Sequence, residues 1–400
     1  MRMRPLFAML ACLPLTLTLG VAGCSGSGTP IMEHPVALPS SLAPAPPLAT
    51  VALTPAKAST EVPVSAEIGV TVTNGTVKTV ELTDAAGTAL TGQFRPEGTS
   101  WVPSNALKYD TAYTATVTAD GSDGKTATET TTFQTMKKPS KRLGTGLYVS
   151  SSQTYGVAMP VVVEFTSNVP QSARATIQSR LFIKTTPEQV GAWSWISPKQ
   201  VMYRGKDYWK TGTTIEVRAA LEGLPIGDGR YGDADRKSTM RIAKDAIELI
   251  TDDTTHIMTV KKNGEVIKTI PVSLGKDSTP SSSGTMVIMQ KYTHTVFDTT
   301  TDPDATDQYR VEVDYAQRLT WGGEFIHSAP WSVKDQGVRN VSHGCTNVSP
   351  ANAKWLFDLT RIGDPYTVKG TSRKLAAGNG FTAWRVGWEE YLKGSALPVH

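Results

Sequence analysis

Apolar and polar residues alternate in short runs along residues 51–137. The runs at residues 68–73 and 113–118 place every second side chain on one face, which is the period of a half-buried β-strand. The dipeptide Asn74-Gly75 follows the first run and predicts a tight hairpin there. The number of runs and the spacing of the turn residues predict a small immunoglobulin-like sandwich.

The same pattern returns in residues 143–245, with β-type runs at residues 161–165 and 214–217. This segment predicts a second sandwich, and the polar, proline-containing residues 137–141 mark the boundary between the two. Neither predicted sandwich contains a group of residues typical of a catalytic site. We therefore interpret both as rigid spacers.

Residues 246–370 form a third strand-rich segment that also contains one clear helix. Asparagine and glycine at residues 263–264 lie between two apolar runs and predict a hairpin. Ser349 is a favourable N-cap and Pro350 a favourable first residue for a helix that continues to Leu359. This segment is the candidate for a functional domain.

The last segment, residues 371–400, contains an aromatic, amphipathic stretch at residues 381–392. We expect a short helix there, within a C-terminal subdomain packed on the third domain. The predicted fold class is mainly β: two immunoglobulin-like sandwiches followed by a β-rich domain with one clear helix and a short C-terminal helical segment.

The composition is compatible with folded domains of this kind. Hydrophobic residues make up 39% of the 400 residues and charged residues 19%, and the formal net charge is +4. No run of lysine and arginine is dense enough to read as a nucleic-acid footprint, so we expect no nucleic-acid partner.

The N-terminus has the features of an export signal. Arg2 and Arg4 precede a short apolar run, and small residues then lead directly into Cys24, an arrangement that resembles the bacterial lipobox. We therefore expect residues 1–23 to be a lipoprotein signal peptide and Cys24 to be lipidated, so that the protein is exported and anchored in the membrane facing the cell wall. An ordinary signal peptide is the alternative. Residues 24–50, rich in proline and serine, predict an extended tether.

The cysteines single out one residue. Of the three, Cys12 lies in the expected signal peptide and Cys24 would carry lipid, which leaves Cys345 as a free thiol without a disulfide partner. In an exported protein such a thiol is either buried and inert or reactive for a purpose.

The residues around Cys345 favour a reactive thiol. A thiol is mostly protonated near neutral pH, so a nucleophilic cysteine needs a nearby base. His327 ends an alternating run and a loop brings the chain back to Cys345, whereas His343 is two residues away, where side chains often point apart. We expect His327 to be the base. No carboxylate suggests itself as a third member, and the backbone carbonyl of Ser328 is the candidate to orient the imidazole.

Gly344 adds a feature suited to acyl transfer. Glycine allows close backbone approach, and the N–H groups of Gly344, Cys345 and their neighbours could converge on a developing oxyanion. One cysteine and two histidines also suggest zinc, but there is no fourth ligand and no paired-cysteine spacing, so we expect no metal.

The stretches H-S-A-P-W at residues 327–331 and S-H-G-C-T-N at residues 342–347 resemble the catalytic domain of L,D-transpeptidases of the YkuD type. The resemblance extends to the preceding strands, and the sandwich modules resemble the multi-module lipoprotein branch of that family. It implies that Cys345 attacks the bond between the diamino acid and D-Ala of a donor tetrapeptide stem. D-Ala leaves, and the acyl group passes from a thioester to the amine of an acceptor stem, giving a 3→3 cross-link in peptidoglycan.

The resemblance also implies site residues and partners. His327, Ser328 and Gly344 would act with Cys345. The residues that match positions lining the donor site are Tyr309, Gly322, Gly323, Trp331, Ser342, His343 and Asn347. Peptidoglycan stem peptides would be the substrates and carbapenem-type β-lactams inhibitors, with no cofactor.

Two other functions remain open from the sequence. Water could replace the acceptor amine, which would make the chain an L,D-carboxypeptidase. A non-catalytic wall-binding lipoprotein is the alternative from a different class. Papain-like and NlpC-type peptidases place the cysteine before the histidine, opposite to the order of His327 and Cys345, so they fit less well. Sortases need a cysteine–arginine arrangement that is not visible in this sequence.

Overall fold

The structure is a computed structural model that describes residues 47–300 and 308–398. The expectations for the signal peptide, for Cys24 and for most of the tether fall on residues 1–46, outside the described residues. Within the described residues, no helix is both long enough and apolar enough to span a membrane.

The first sandwich is built from nine strands in two sheets. The strands are β1 Thr50–Thr54, β2 Ser59–Val62, β3 Ile68–Thr73, β4 Gly75–Asp84, β5 Ala89–Leu90, β6 Gly92–Phe94, β7 Ser100–Pro103, β8 Ala112–Gly121 and β9 Thr126–Thr135. One sheet has the order β1-β3-β7-β6 and the other β2-β9-β8-β4-β5. The inward-facing residues of both, such as Ile68, Leu82 and Val117, form one core.

The prediction of a hairpin at Asn74-Gly75 is wrong. β3 pairs with β1 and β7, whereas β4 pairs with β8 and β5. Asn74, with φ of 57°, therefore turns the chain from one sheet into the other. The left-handed conformation that the dipeptide favours is present, but it serves a corner of the sandwich instead of a hairpin.

The second sandwich contains two four-stranded sheets and one helix. Its elements are β10 Arg142–Leu143, β11 Thr145–Leu147, β12 Thr154–Tyr155, β13 Val161–Phe165, α1 Gln171–Gln178, β14 Leu181–Thr186, β15 Gly191–Ser197, β16 Gln200–Gly205, β17 Thr214–Ala220, β18 Tyr231–Gly232 and β19 Asp235–Ile242. The sheet orders are β11-β13-β16-β15 and β12-β19-β17-β14, and β10 pairs with β18. Its core, which includes Trp209, Ile215 and Met240, is separate from that of the first sandwich.

The third domain packs a six-stranded sheet, a four-stranded sheet and a helix. Its elements are β20 Ile247–Asp252, β21 Ile257–Lys262, β22 Glu265–Pro271, β23 Ser282–Val287, β24 Gln290–Asp298, β25 Arg310–Arg318, β26 Phe325–Ser328, β27 Thr346–Val348, α2 Pro350–Leu359 and β28 Pro365–Lys369. The C-terminal segment that follows adds β29 Arg373–Lys374 to the six-stranded sheet and contains α3 Trp388–Leu392. The sheet orders are β22-β21-β20-β28-β23-β29 and β24-β25-β26-β27. Ile247, Val260, Ile326 and Leu356 lie in the core of this domain.

Two local predictions for this domain are confirmed. β21 and β22 form the hairpin around residues 263–264. α2 begins at Pro350, and the Ser349 hydroxyl accepts a hydrogen bond from the Asn352 N–H, as expected of an N-cap. α2 packs on β25 and β26, so it supports the strand that carries His327.

The C-terminal segment differs from the prediction in the length of its helix and in the domain on which it packs. Only Trp388–Leu392 is helical, a shorter stretch than predicted. From Phe381 onward its apolar residues enter the core of the second sandwich, where Trp384 and Tyr391 flank the guanidinium of Arg204 at 4.3 and 4.5 Å from their ring centroids. Packing on the third domain holds for Leu375, which enters that core, and for Phe381, whose ring meets that of Trp321 with centroids 6.0 Å apart. The aromatic rings thus pair with a cation of the second sandwich that sequence patterns do not reveal.

Candidate active site

A pocket of about 500 Å³ opens on the third domain beside the β24–β25 hairpin. It contains most of the residues singled out from the sequence. The lining residues are Phe297, Tyr309, Val311, His327, Trp331, Val341, Ser342, His343, Cys345 and Asn347.

The pairing of two parallel strands brings Cys345 and His327 to this pocket. Ile326 is in register with Thr346, and His327 with Asn347. Successive side chains of a strand point to opposite faces, so His327 lies on the face opposite to Ile326, and Cys345 lies on the face opposite to Thr346. Since Ile326 and Thr346 share one face of the sheet, His327 and Cys345 share the other. The expectation that the loop brings the two side chains to one face is confirmed by their shared pocket.

The Cys345 thiol is buried, with only 7% of the residue exposed. Its Sγ donates to the Gly323 carbonyl oxygen at 3.6 Å and also accepts from the backbone N–H of Phe325. Burial raises the pKa of the thiol to about 12, and the negative charge of Glu324 contributes in the same direction. The resting cysteine is therefore a neutral thiol, and it would need a base to act as a nucleophile.

The His327 imidazole is placed to be that base. Its Nδ1 lies 2.9 Å from the Ser328 carbonyl oxygen, and because a carbonyl only accepts, Nδ1 must carry the proton. Nε2 is then the acceptor of the neutral ring. Burial lowers the pKa of His327 to about 4, so the ring is neutral at physiological pH. The orienting role expected of the Ser328 carbonyl has the geometry it requires.

Aromatic rings enclose the imidazole. Phe297 meets His327 edge-on with ring centroids 5.1 Å apart, and Trp331 lies at 6.0 Å with 52% of its surface exposed. Phe297 comes from β24, the first strand of the hairpin, and Trp331 from a 3₁₀ turn at Pro330–Ser332. These rings exclude water from His327, which is the cause of its lowered pKa.

The loop before Cys345 is held by side-chain hydroxyls. Ser342 Oγ donates to the Cys345 carbonyl oxygen at 2.6 Å and accepts from the Gly344 N–H at 3.1 Å. Ser281 Oγ donates to the Gly344 carbonyl oxygen at 2.7 Å. Gly344 has φ of +120°, a conformation that only glycine adopts readily. Ser342 therefore shapes the loop that carries Cys345.

These contacts change the expectation for an oxyanion site. The Gly344 N–H already has an acceptor in Ser342 Oγ, so it is not a free donor in this arrangement. Of the two residues named for this role from the sequence, Gly344 and Cys345, the N–H of Cys345 remains the candidate.

The other predicted residues divide between the pocket and its surroundings. The ring of Tyr309 packs against that of His343 with centroids 5.2 Å apart, and His343 Nε2 lies 3.2 Å from Lys276 Nζ at the exposed rim. Gly322 does not line the pocket, and its N–H donates to Asn379 Oδ1 at 2.8 Å. Gly323 takes part only through the carbonyl that accepts from the thiol.

Asn347 has one atom in an unusual state. Its Nδ2 donates to Ser332 Oγ at 3.1 Å, whereas its buried Oδ1 has no hydrogen-bond partner within the part of the chain that the structure describes. Because Asn347 lines the pocket, this acceptor is a candidate contact for a ligand N–H. Over the same described residues, no group of three or more His, Cys, Asp or Glu side chains could hold a metal ion.

Two family models match the chain. A bacterial Ig domain matches residues 59–225, across both sandwiches, and the YkuD L,D-transpeptidase catalytic domain matches residues 247–368. L,D-transpeptidase 2 of Mycobacterium tuberculosis (strain CDC 1551 / Oshkosh) is 34% identical over 339 residues, covering 84% of this chain and 82% of that protein. The chain belongs to the L,D-transpeptidase family. L,D-transpeptidase 5 of M. tuberculosis (strain ATCC 25618 / H37Rv) is 32% identical over 361 residues, covering 88% of this chain and 78% of that protein.

Solved L,D-transpeptidases are also similar to this chain over part of its length. The structure of the LD transpeptidase LdtMt1 in complex with imipenem is 35% identical, with a TM-score of 0.47, and covers 56% of this chain and 97% of that one. The L,D-transpeptidase from Mycobacterium smegmatis is 30% identical, with a TM-score of 0.45, and covers 57% of this chain and 99% of that one.

One residue of this L,D-transpeptidase site was missed by sequence reasoning. Glu324 is a buried carboxylate whose charge acts on Cys345, although no carboxylate had been expected beside the cluster. Its partners are Ser282 and Arg373, and Arg373 comes from the segment after the catalytic domain. No spacing in the sequence links positions so far apart.

Proposed function

We propose that the chain is a peptidoglycan L,D-transpeptidase that uses Cys345 as its nucleophile and forms 3→3 cross-links. The observation that carries this proposal is the arrangement of one buried thiol and one neutral imidazole in the same pocket. His327 Nδ1 is committed to the Ser328 carbonyl oxygen, so Nε2 is left to receive the thiol proton. Membership of the L,D-transpeptidase family supports the reaction class.

In the first half-reaction, Cys345 Sγ attacks the carbonyl carbon between the diamino acid and D-Ala of the donor stem, and its proton passes to His327 Nε2. The tetrahedral intermediate collapses as the imidazolium returns that proton to the amine of D-Ala. D-Ala leaves, and the acyl group remains on Cys345 as a thioester. The Cys345 N–H is the proposed donor to the oxyanion.

In the second half-reaction, the side-chain amine of an acceptor stem attacks the thioester. His327 takes the proton from that amine, the new amide forms, and the sulfur leaves and is reprotonated by the imidazolium. We place the donor stem and the acceptor amine in the open pocket, which has a volume of about 500 Å³. Trp331 and Tyr309 offer apolar faces for the stem, and the unpartnered Asn347 Oδ1 offers an acceptor for a peptide N–H.

We also propose that the protein is exported and held on the membrane by lipid at Cys24. The charged and apolar lead and the small residues before Cys24 support this. An extended tether of about 26 residues at roughly 3.1 Å each would reach on the order of 80 Å from the membrane. That reach would place the catalytic domain among its substrates in the wall.

Incubation of the full-length protein with a purified disaccharide tetrapeptide, followed by mass spectrometry, tests the proposed reaction. A dimer that has lost one D-Ala supports transpeptidation. Tripeptide without dimer would replace the proposal by the L,D-carboxypeptidase alternative, in which water resolves the thioester. Cys345→Ala is the matched control and should form neither product.

A carbapenem separates an enzyme from a wall-binding module. We expect the thiol of Cys345 to open the β-lactam ring and gain the whole mass of the drug, because the strained carbonyl replaces that of the donor. Absence of an adduct on Cys345, together with absence of both peptide products, would favour the non-catalytic lipoprotein.

A further inference from the structure

Glu324 is a buried acidic residue at the turn that leads into β26. It is only 4% exposed, and its carboxylate is fully engaged. Oε2 accepts from the Ser282 N–H at 3.0 Å, and Oε1 accepts from the Ser282 hydroxyl at 2.6 Å and from Arg373 Nη2 at 2.7 Å. These partners lie side by side, because Ser282 of β23 is in register with Arg373 of β29. The carboxylate is thus clamped to one edge of the six-stranded sheet.

The two peptide groups on either side of Glu324 are those that contact the sulfur of Cys345. The Gly323 carbonyl, which precedes Glu324, accepts from Sγ at 3.6 Å, and the Phe325 N–H, which follows it, donates to Sγ. The backbone of Glu324 is fixed as well, since its N–H donates to Thr320 Oγ1 at 3.0 Å. A residue anchored through both side chain and backbone therefore sets the position of both groups that hold the thiol.

Glu324 also lies against the loop that carries Gly344 and Cys345. Its Cγ lies 3.7 Å from the position that a Cβ on Gly344 would occupy. Its negative charge raises the pKa of Cys345, and the cation of Arg373 lies directly against it. The carboxylate therefore acts on the thiol through geometry and through charge, and Arg373 moderates the charge.

We propose that Glu324, clamped by Ser282 and Arg373, is a positioning residue that fixes the Cys345 thiol for attack. The proposal rests on the proposed function of Cys345 as nucleophile. It assigns the strand after the catalytic domain, β29, a part in the active site through Arg373. The other titratable groups that line the pocket with Cys345 are His327, Tyr309 and His343, which the test leaves unchanged.

The pH profile of Cys345 alkylation by iodoacetamide, followed by mass spectrometry on the full-length protein, tests the role of charge. Glu324→Gln removes a negative charge beside the sulfur, so the profile should move to lower pH. Arg373→Met leaves that charge without its partner, so the profile should move to higher pH. Arg236→Met is the matched control, because it removes a similarly exposed arginine from an ion pair with Asp233 in the second sandwich.

Kinetics with the tetrapeptide donor test the role of geometry. Glu324→Ala should lower kcat on the order of tenfold or more while KM changes little, because the reacting sulfur is displaced and the rest of the pocket is kept. Unchanged alkylation profiles in both charge variants, or full kcat in Glu324→Ala, would overturn the proposal.

Failure of this proposal and failure of the proposed function give different results. A wild-type protein that forms no cross-link refutes the function, yet alkylation of its thiol still reports whether Glu324 controls it. Thermal unfolding identifies a variant that fails to fold. In that event Arg373→Met, whose side chain is 43% exposed at the sheet edge, carries the test.

Discussion

The Nδ1 atom of His327 donates a hydrogen bond of 2.9 Å to the carbonyl oxygen of its own neighbour, Ser328. A backbone carbonyl orients this imidazole, whereas a carboxylate does so in a Ser-His-Asp triad, so the contact fixes the tautomer without adding charge. A neutral orienting group also leaves the lowering of the His327 pKa by burial largely uncompensated. The resting site therefore contains a neutral thiol and a neutral imidazole.

The two histidines near Cys345 should differ sharply in their importance. His327→Ala should slow acylation by a carbapenem by roughly 10²–10⁴-fold, the usual contribution of a general base. His343→Ala should cost much less, because that ring is exposed at the rim and contacts Tyr309 and Lys276. Rates of adduct formation measured by mass spectrometry compare the two variants. A larger loss in His343→Ala would reassign the base.

The pH dependence of acylation should reflect the buried environment of His327. The neutral imidazole is the active form, and it persists above its pKa, which burial lowers to about 4. The acidic limb of the pH–rate profile of the free enzyme should therefore lie near pH 4, below the ordinary histidine value of about 6.5. Stopped-flow acylation at constant ionic strength measures this limb. A limb near the ordinary value would show that the ring is solvated before the reaction.

Local signals were sufficient for much of the fold. The cap at Ser349 and the turn at residues 263–264 depend on neighbours in the chain, and the structure confirms both. Asn74-Gly75 has the same local chemistry, but its flanking strands find their partners in different sheets. Which strands pair is decided by packing over long distances, and a single sequence does not contain that information.

The candidate site likewise contains residues that local sequence patterns reveal and one residue that they do not. Cys345 and His327, the proposed nucleophile and base, could be singled out because these residue types have recognisable chemistry within two short stretches. Glu324 was missed because its role depends on Ser282 and Arg373, which reach it only after the sheet has formed. The C-terminal aromatic residues divide between the domains: Phe381 contacts Trp321 of the third domain, as expected. Trp384 and Tyr391 pack on the second sandwich instead, because Arg204, the cation between them, lies there.

Acylation of Cys345 should require glycine at residue 344 because of the backbone conformation there. The φ of +120° at Gly344 would cost an alanine about 1–3 kcal/mol, although there is space for the methyl group. Gly344→Ala should therefore shift the loop that carries Cys345 and reduce acylation. Gly212→Ala is the control, because Gly212 also has positive φ, 77°, and open space, but lies in the second sandwich. It should lose stability without loss of acylation rate. Equal acylation rates for both variants would contradict the role of the loop.

Cys24 should determine membrane attachment. Cys24→Ala should release the protein from the membrane fraction, because lipidation needs the thiol. Cys12→Ala, within the expected signal peptide, should leave attachment unchanged. Fractionation and mass spectrometry of the mature N-terminus give the result. Attachment that survives Cys24→Ala would refute the anchor, and an unlipidated N-terminus in the wild type would favour the ordinary signal peptide.

Asp364 is a buried carboxylate where the catalytic domain meets the second sandwich. Its Oδ2 accepts from the Arg361 N–H at 2.8 Å, whereas its buried Oδ1 has no hydrogen-bond partner among the described residues. The adjoining backbone joins the two domains, since the Gly156 N–H donates to the Ile362 carbonyl oxygen at 2.8 Å and the Ala158 N–H donates to that of Gly363 at 2.9 Å. Burial raises the pKa of Asp364 to about 7.

This raised pKa makes the stability of the protein depend on pH. The folded state holds the Asp364 proton up to about pH 7, whereas the unfolded chain releases it near the ordinary value of 3.8. The contribution to stability is therefore fully present below about pH 4 and is lost as the pH rises through 7. Asp364→Asn keeps an acceptor for Arg361 without ionising, so its free energy of unfolding should fall less between pH 4 and 7 than that of the wild type. Asp358→Asn, at an exposed helix position, is the control and should follow the wild type. Denaturant titrations at several pH values measure the difference, and parallel curves for wild type and Asp364→Asn would contradict it.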